Sequence, residues 1–420
     1  RDLHYPLRRQ RQMCIRDSAV DYYWVPRMLI DRGMLPPLPD GIVLPGTVED
    51  LSDIVRLANR YHIPLIPWGG GSGSQGGIMP VYGGLIIDLK RLNKIIEINE
   101  VAGTVTAQAG INGYELESAL NLAGWTLPHY PASIHSATLG GYLACRGSGT
   151  VSTKYGKAED MVLSMQVVLP NGDIIRTLPV PNHAAGPGIL QLFIGAEGSF
   201  GIITEATMRL ERLPEVRRFR SFLFPDMHSG LEAGRRIMLD RLQPLVIRLY
   251  DERSTIKTVR RVLGTEVDHG AYMVLGFDGW QDIVEAQERH AFNICKELEA
   301  EDLGEELGRQ WWEHRYDFYF PPKVLDFPWM FGTLDTVATY DKLESLYWAK
   351  KEALESRYKD WNLFYYAHFS HWYLWGVMAY DRFIIENPPQ DPQEALALHD
   401  EIWDLAVKVN LEHGGVINAV

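Results

Sequence analysis

Pro67-Trp68-Gly69-Gly70-Gly71-Ser72-Gly73-Ser74-Gln75-Gly76-Gly77 is the stretch on which the reading of this chain turns. Apolar runs flank it, Ile63 to Ile66 before and Leu85 to Leu89 after. A loop so poor in side chains adopts positive φ freely and aims several N–H groups at one point. Convergent N–H donors suit an oligophosphate. A flexible surface linker has the same composition, and the loop alone leaves both readings open.

The 420 residues imply two domains, and 46% apolar with 23% charged residues is the balance of a globular protein able to bury a core. A net charge of −13 argues against a general nucleic-acid binder, which would carry a basic face. No apolar run is long enough to span a bilayer, and no secretory signal opens the chain. Cys14, Cys145 and Cys295 are scattered and odd in number, forming neither a disulfide framework nor a zinc pattern. Together these features point to a cytoplasmic enzyme. The 12 Trp and 20 Tyr crowd after Trp311, which suggests an aromatic-lined pocket in the second half, although such crowding is more often core. Arg1–Ser18 is basic in an acidic chain and resembles translated adapter read-through. It is expected to be non-native, with residues 19–40 a lead-in to a native chain that starts upstream of Ala19.

From Gly41 to Leu213 helical and extended patterns alternate. Thr47 followed by Asp50 resembles a capping box, ahead of Leu51, Ile54, Val55, Leu57 and Ala58 at helical spacing. Ile63–Pro67 and Leu85–Leu89 read as strands, Ile95–Ile98 with Val105–Ala109 as a hairpin, and Tyr114–Ala123 as a helix closed by Gly124. Val162–Leu169 is a strand that returns through Asn171-Gly172 to Ile174-Ile175. Three further loops of small and hydroxyl residues lie beside apolar elements. They are Pro131-Ala132-Ser133-Ile134-His135-Ser136-Ala137-Thr138, beginning at Pro128 and running on to Gly141; Cys145-Arg146-Gly147-Ser148-Gly149; and Tyr155–Val162, while Glu197-Gly198-Ser199-Phe200-Gly201-Ile202-Ile203 closes the domain as another glycine-rich turn. Small residues admit a flat ligand closely, and Ser and Thr supply hydrogen bonds.

The order and separation of the glycine loop, Pro131–Gly141, Cys145–Ser148 and Glu197–Ile203 resemble the FAD-binding domain of the vanillyl-alcohol-oxidase type (the PCMH type). The resemblance covers about Gly41 to Leu213. It implies an α+β fold: two FAD-binding subdomains with the flavin between them, followed over residues 214–420 by an α+β substrate domain with an antiparallel sheet. It also implies that the backbone of Trp68 to Ser74 holds the pyrophosphate and that Ser133–Thr138 lies nearer the isoalloxazine. No G-x-G-x-x-G opens a helix with an acidic residue about 20 positions on, and no Gly-Lys-Ser/Thr follows the glycines. The dinucleotide fingerprint and the P-loop therefore both fail. Some members of the class bind flavin covalently through a histidine in the glycine loop. This loop has none, which favours non-covalent FAD and leaves His129, His135 or a histidine of the second domain as alternative attachment points.

In the second domain Ile247–Asp251 and Tyr272–Gly279 read as strands, and Ile283–Leu298 and Asp341–Tyr358 as helices. The acid run Glu297–Glu306 reads most simply as a solvated face. His368-Phe369-Ser370-His371-Trp372-Tyr373-Leu374-Trp375-Gly376-Val377-Met378-Ala379-Tyr380 reads as a strand. Alternation puts Ser370 and Trp372 opposite Phe369, His371 and Tyr373, with Gly376 allowing a bulge. A buried aromatic strand is the plain reading; beside a flavin, its histidines and tyrosines supply acid–base groups. The pattern resembles the alkyldihydroxyacetonephosphate-synthase branch, where a Tyr four positions after a strand glycine is the acid/base, which maps onto Tyr380. His368 and His371 join it as candidate catalytic residues, and Arg248, Tyr373 and Lys323 as candidate substrate contacts. The branch has an arginine for the substrate phosphate near Phe320–Leu325, where this chain offers Lys323, a point charge without bidentate geometry. The branch also carries a histidine cluster soon after the counterpart of Gly414-Gly415. Here Val416 to Val420 follows, so a truncated C-terminus is expected.

Three functions compete. One is an ether-lipid synthase using FAD, acyl-dihydroxyacetone phosphate and a fatty alcohol without net redox change. Another is a flavin oxidoreductase of a hydroxy acid or alcohol. The third is an inactive FAD-binding fragment. Related 2-hydroxy-acid dehydrogenases carry two histidine metal ligands on this strand; His368 matches the first, but Trp375 takes the second place, which disfavours a metal. A small-molecule substrate and a homodimer are the expected partners.

Overall fold

The computed structural model describes residues 20–318 and 328–417. They divide into two compact units, residues 20–148 with 157–212, and residues 149–156 with 213–417.

The first unit opens on α1 (Trp24–Asp31), which buries Trp24, Val25 and Met28. β1 (Gly41–Val43), β2 (Leu65–Trp68) and β3 (Leu85–Asp88) form a parallel sheet of order β1-β3-β2. Parallel neighbours need a crossover, and α2 (Val48–Tyr61) supplies one. Its capping box is present: Thr47 Oγ1 accepts from Asp50 N at 3.1 Å and Asp50 Oδ2 accepts from Thr47 N at 3.0 Å. Asp here does what Glu usually does. Leu51, Val55 and Ala58, at i, i+4 and i+7, face inward. Leu57, expected on that face, is exposed, because six positions from Leu51 is well off the stripe.

A second, antiparallel sheet takes β4 (Ile95–Asn99), β5 (Thr104–Gln108), β6 (Val162–Val168), β7 (Ile174–Arg176) and β8 (Ile202–Arg209) in the order β4-β5-β8-β6-β7. Leu51 and Val55 of α2, Ile87 of β3, Val168 of β6 and Ile202 of β8 share one core, which joins the two sheets. α3 (Gly113–Leu122) starts where the Asn112 side chain accepts from Tyr114 N and Glu115 N. α4 (Leu139–Ala144) is capped by Thr138, whose hydroxyl accepts from Gly141 N.

The second unit contains α5 (Ser152–Tyr155), β9 (Val216–Phe224), α6 (Met227–Leu239), β10 (Val246–Tyr250), β11 (Ala271–Gly279), α7 (Gln281–Glu297), β12 (Glu301–Leu303) and α8 (Gly304–Glu313). β13 (Met330–Thr333), β14 (Thr336–Thr339), α9 (Tyr340–Arg357), β15 (Phe364–Trp372), β16 (Gly376–Ile385), α10 (Pro392–Glu412) and β17 (Val416–Ile417) follow. Among the described residues, nine strands make one antiparallel sheet, β12-β9-β11-β10-β15-β16-β14-β17, with β13 also on β16. The acid run is the solvated face expected of it, with Glu297, Glu299, Glu301, Asp302, Glu305 and Glu306 all exposed. Glu301 and Asp302 extend the sheet edge against Leu223 and Phe222, where Asp302 accepts twice from Arg220 Nε, at 2.9 and 3.0 Å.

The expected single strand from His368 to Tyr380 is a hairpin of two strands, β15 and β16. The bulge lies at His371, between Ser370 and Trp372, and not at Gly376. His371 takes φ +54° there. Phe369 meets Tyr347 of α9 and Trp372 lies against Gly234 of α6, so both side chains face helices although their positions have opposite parity. The extra residue rephases the strand and turns His371 toward the face that carries His368, instead of the Phe369 face that alternation gave it.

Candidate active site

In the first unit the four glycine- and hydroxyl-rich segments meet. A Cβ at Gly69 would strike the Thr138 hydroxyl, and one at Gly70 would lie inside the Ser136 carbonyl. Gly77 backs onto the Glu197 carboxylate, and Gly198, at φ +87°, onto the Pro67 ring. Gly195 N and Glu197 N donate to the carbonyls of Leu143 and Ala144, the helix end that leads into Cys145–Ser148. The Pro131–Thr138 segment is a tight turn in which Ser136 N and Ala137 N both donate to Ser133 O at 2.8 Å. The His135 and Tyr114 rings meet at 4.5 Å, tilted by 42°, Phe200 is exposed, and Ile202 and Ile203 are buried in β8. Burial pushes the Cys145 thiol up to about 12, with Glu197 and Asp21 adding to the rise, so it is no nucleophile.

The lead-in also reaches this loop, which the sequence did not signal. Tyr22 N donates to Gly73 O at 2.8 Å, and Asp21 Oδ2 accepts from Gly76 N at 3.0 Å. Burial raises the Asp21 carboxyl to about 6.

Among the described residues, several buried polar groups here have no hydrogen-bond partner: Trp68 Nε1, both ring nitrogens of His129 and the Ser148 hydroxyl. Such groups cost about 1–3 kcal/mol each when left unsatisfied. Burial, with Lys157 adding, pushes His129 down to about 3, so it is a neutral imidazole able both to donate and to accept. A loop stripped of side chains and a set of buried, unpartnered donors and acceptors fit a dinucleotide such as FAD.

In the second unit His368 of β15 and Tyr380 of β16 are direct cross-strand partners, their rings stacked at 4.8 Å and 22°. Arg248 of β10 stands beside them, and its Nη1 donates to His368 Nε2 at 3.0 Å. Since Nε2 accepts, the His368 proton sits on Nδ1. Burial first, then Arg248, Arg382 and His371, holds His368 well below the usual histidine range, so it stays neutral. The Arg382 guanidinium lies 5.1 Å from the Tyr380 ring and 5.7 Å from that of Tyr366. Two guanidinium groups thus flank the His368–Tyr380 pair; in the sequence only the two-residue offset from Tyr380 marks Arg382. Trp311 closes over Arg248, with 5.5 Å between ring and guanidinium, and its Nε1 donates to Tyr250 OH at 2.9 Å.

Tyr373 lies in the hairpin turn, stacked on Trp375 instead of on the His368–Tyr380 pair. Lys323 falls outside the described residues. Arg315 lies over the Trp312 ring at 3.8 Å and donates to the Trp312 carbonyl. The aromatic wealth of this half goes largely into core, with Trp311, Trp372, Tyr347 and Tyr365 fully buried. Among the described residues no three His, Cys, Asp or Glu side chains converge as a metal site. No helix among them is long and apolar enough to cross a membrane.

A dinucleotide cradle on paired α/β sheets, with a separate antiparallel sheet presenting His, Tyr and Arg, defines a flavin enzyme whose cofactor is FAD. The chain belongs to the FAD-linked oxidase family: residues 39–178 match the FAD binding domain and residues 213–419 the C-terminal domain of FAD linked oxidases. It is similar to the alkyldihydroxyacetonephosphate synthase of Dictyostelium discoideum, 32% identical over 416 residues that cover 92% of this chain and 67% of that protein. A solved alkyldihydroxyacetonephosphate synthase superposes with a TM-score of 0.80 at 29% identity, covering 95% of this chain and 76% of the other. A glycolate oxidase subunit of Bacillus subtilis is 30% identical over 266 residues, covering 63% of this chain and 56% of that protein. The chain is thus an FAD-dependent enzyme that resembles alkyldihydroxyacetonephosphate synthase.

Proposed function

We propose that the chain carries out ether-lipid-synthase-type chemistry: the carbon–oxygen bond to the acyloxy group of an acyl-dihydroxyacetone phosphate breaks, that group leaves as the fatty acid, and the oxygen of a fatty alcohol forms the new ether bond to the same carbon, its proton balancing the acid released. The carrying observation is the stacked His368–Tyr380 pair flanked by Arg248 and Arg382. Bound FAD supplies the flavin ring as electrophile. Segments 67–74 and 131–138, with Ser148 and the 197–203 turn, are the groups we assign to holding it. Arg248 and Arg382 attract the anionic group of the substrate. Tyr380 holds the proton that leaves or returns at the carbon next to the carbonyl. His368, neutral and with its proton on Nδ1, fixes the phenol by stacking and cannot itself become cationic beside two guanidinium groups. The Trp311 wall keeps water from this face.

The likeness to a glycolate oxidase subunit favours a second reading, oxidation of a small 2-hydroxy acid whose carboxylate meets the same arginines. Two assays separate them. Ether-bond formation from acyl-dihydroxyacetone phosphate and a fatty alcohol, with the flavin oxidised throughout, supports the first. Anaerobic bleaching of the flavin by glycolate or D-lactate overturns it in favour of the second. We take the compartment to be the cytoplasm, a reading supported by the unpaired Cys145 and Cys295.

A further inference from the structure

Residues 149–156 follow the Cys145–Ser148 turn in sequence yet pack as part of the second unit. Their attachment is specific. Lys154 Nζ meets Asp278 Oδ1 at 2.7 Å, Tyr155 OH donates to the same oxygen at 3.0 Å, and Arg217 Nη2 holds the other at 3.1 Å. The Asp278 side chain is fully buried, so this three-partner junction is a firm anchor. From it, α5 presents two hydroxyls to the bulge of β15. Thr153 Oγ1 accepts from Trp372 N at 3.2 Å, and Ser152 Oγ is hydrogen-bonded to His371 Nδ1.

His371 is the residue that pays for the bulge, since a non-glycine side chain at φ +54° carries strain that persists only where its surroundings over-determine it. A bulge of this kind re-aims one side chain. Its partner also matters chemically. A carboxylate at Nδ1 would favour the imidazolium, whereas a hydroxyl accompanies the neutral ring and the cation alike. His371 lies close enough to His368 to act on it electrostatically.

We propose that Ser152 is a positioning residue for His371: its hydroxyl accepts the Nδ1 proton, fixes the ring within the bulge and makes Nε2 the nitrogen that exchanges protons at this sheet face. Thr153 sets the backbone of the bulge and Ser152 sets the ring. The assignment rests on the reading of this face as the reaction site. Among the described residues, His368 on the same strand interacts with His371, Arg248 of β10, Tyr380 and Arg382 of β16 surround His368, and Lys154, Tyr155 and Asp278 form the anchor of α5.

Histidine-selective 15N NMR of the full-length holoprotein reads the ring directly, with His371→Gln identifying its signals. Wild-type His371 is expected as the Nδ1–H tautomer. Ser152→Ala is expected to admit the Nε2–H form. Ser152→Thr is expected to restore the wild-type signals. An unchanged tautomer in Ser152→Ala, or Nε2–H in the wild type, overturns the proposal whatever the enzyme turns over. With the substrate that the assays above identify, Ser152→Ala is expected to lower kcat about 10-fold, a fraction of what general acid–base catalysis supplies, with KM within about 2-fold. In a His371→Gln background the same substitution is expected to cost almost nothing more, and a full second loss there also overturns the proposal. Failure of every substrate tested would count against the functional reading and leave the NMR result to decide on Ser152.

Discussion

In the proposed mechanism Tyr380 and His368 divide the work through their surroundings. His368 is held neutral by burial and by the neighbouring guanidinium groups, and we therefore assign the proton exchange to the phenol. Tyr380→Phe keeps the stacked ring and removes only the hydroxyl. It is expected to lower turnover about 100-fold or more while flavin content stays at the wild-type level, since general acid–base groups contribute at that scale. Turnover within a few-fold of wild type would remove Tyr380 from the mechanism. Asp21 makes a different prediction. Its carboxyl rises from 3.8 to about 6 chiefly through burial, so the folded state holds a proton that the unfolded chain has already released. Stability from this group is therefore lost as pH rises from about 4 through 6, at up to about 1.4 kcal/mol per pH unit. Asp21→Asn removes the titration. The stability of the variant relative to wild type, from urea melts of the apoprotein, should rise by about 1–3 kcal/mol between pH 4 and pH 7. A flat difference across that range would show that Asp21 does not titrate there.

Among the elements, the glycine loop and the β15–β16 hairpin show what local sequence reveals and what it hides. The capping box at Thr47–Asp50, the hairpins and the crossover helix were legible because the residues that make them lie within a few positions of one another. The four glycine- and hydroxyl-rich segments were legible as an ordered set, and Gly69, Gly70 and Gly198 make contacts too close for a larger side chain. The bulge was not. Gly376 drew the expectation because glycine tolerates bulges, but the observed one uses a histidine stabilised by Ser152, 219 positions away. That rephasing also returned His371 to the face that alternation denied it, and β16 brought in Arg382 unannounced. Within the loop, the glycines are not equivalent. Gly70→Ala would drive a Cβ into the Ser136 carbonyl, whereas a Cβ at Gly73 would find Asp21 Oδ2 at 3.6 Å as its nearest neighbour. Purified Gly70→Ala is expected to retain less than about a tenth of the wild-type flavin, and Gly73→Ala most of it, since forced overlap with backbone costs about 1–3 kcal/mol or more. Equal flavin in both would remove the steric argument.

At the scale of the whole molecule, stability and cofactor retention depend on different interiors. The second unit buries Lys350 against Asp381 at 2.5 Å with neither side chain exposed, and Tyr365 OH donates to the same carboxylate oxygen at 2.7 Å. Lys350→Met strands that charge and is expected to cost about 3–5 kcal/mol in urea melts, while Lys350→Met with Asp381→Leu recovers much of the loss. Equal destabilisation by the single and double variants would mean that packing, not charge, sets the cost. The first unit depends instead on its ligand. Trp68, His129 and Ser148, which lack hydrogen-bond partners among the described residues, are expected to favour the holo form, with free FAD at about 100 times its Kd adding about 2.7 kcal/mol to stability. No histidine lies between Pro67 and Gly77, and the His129 ring is deeply buried, so the flavin is expected to be held by contacts alone. Acid precipitation of the yellow protein should therefore leave its flavin in the supernatant. Flavin remaining with the pellet, on a peptide containing His129 or His135, would replace that cradle of contacts with a covalent tether.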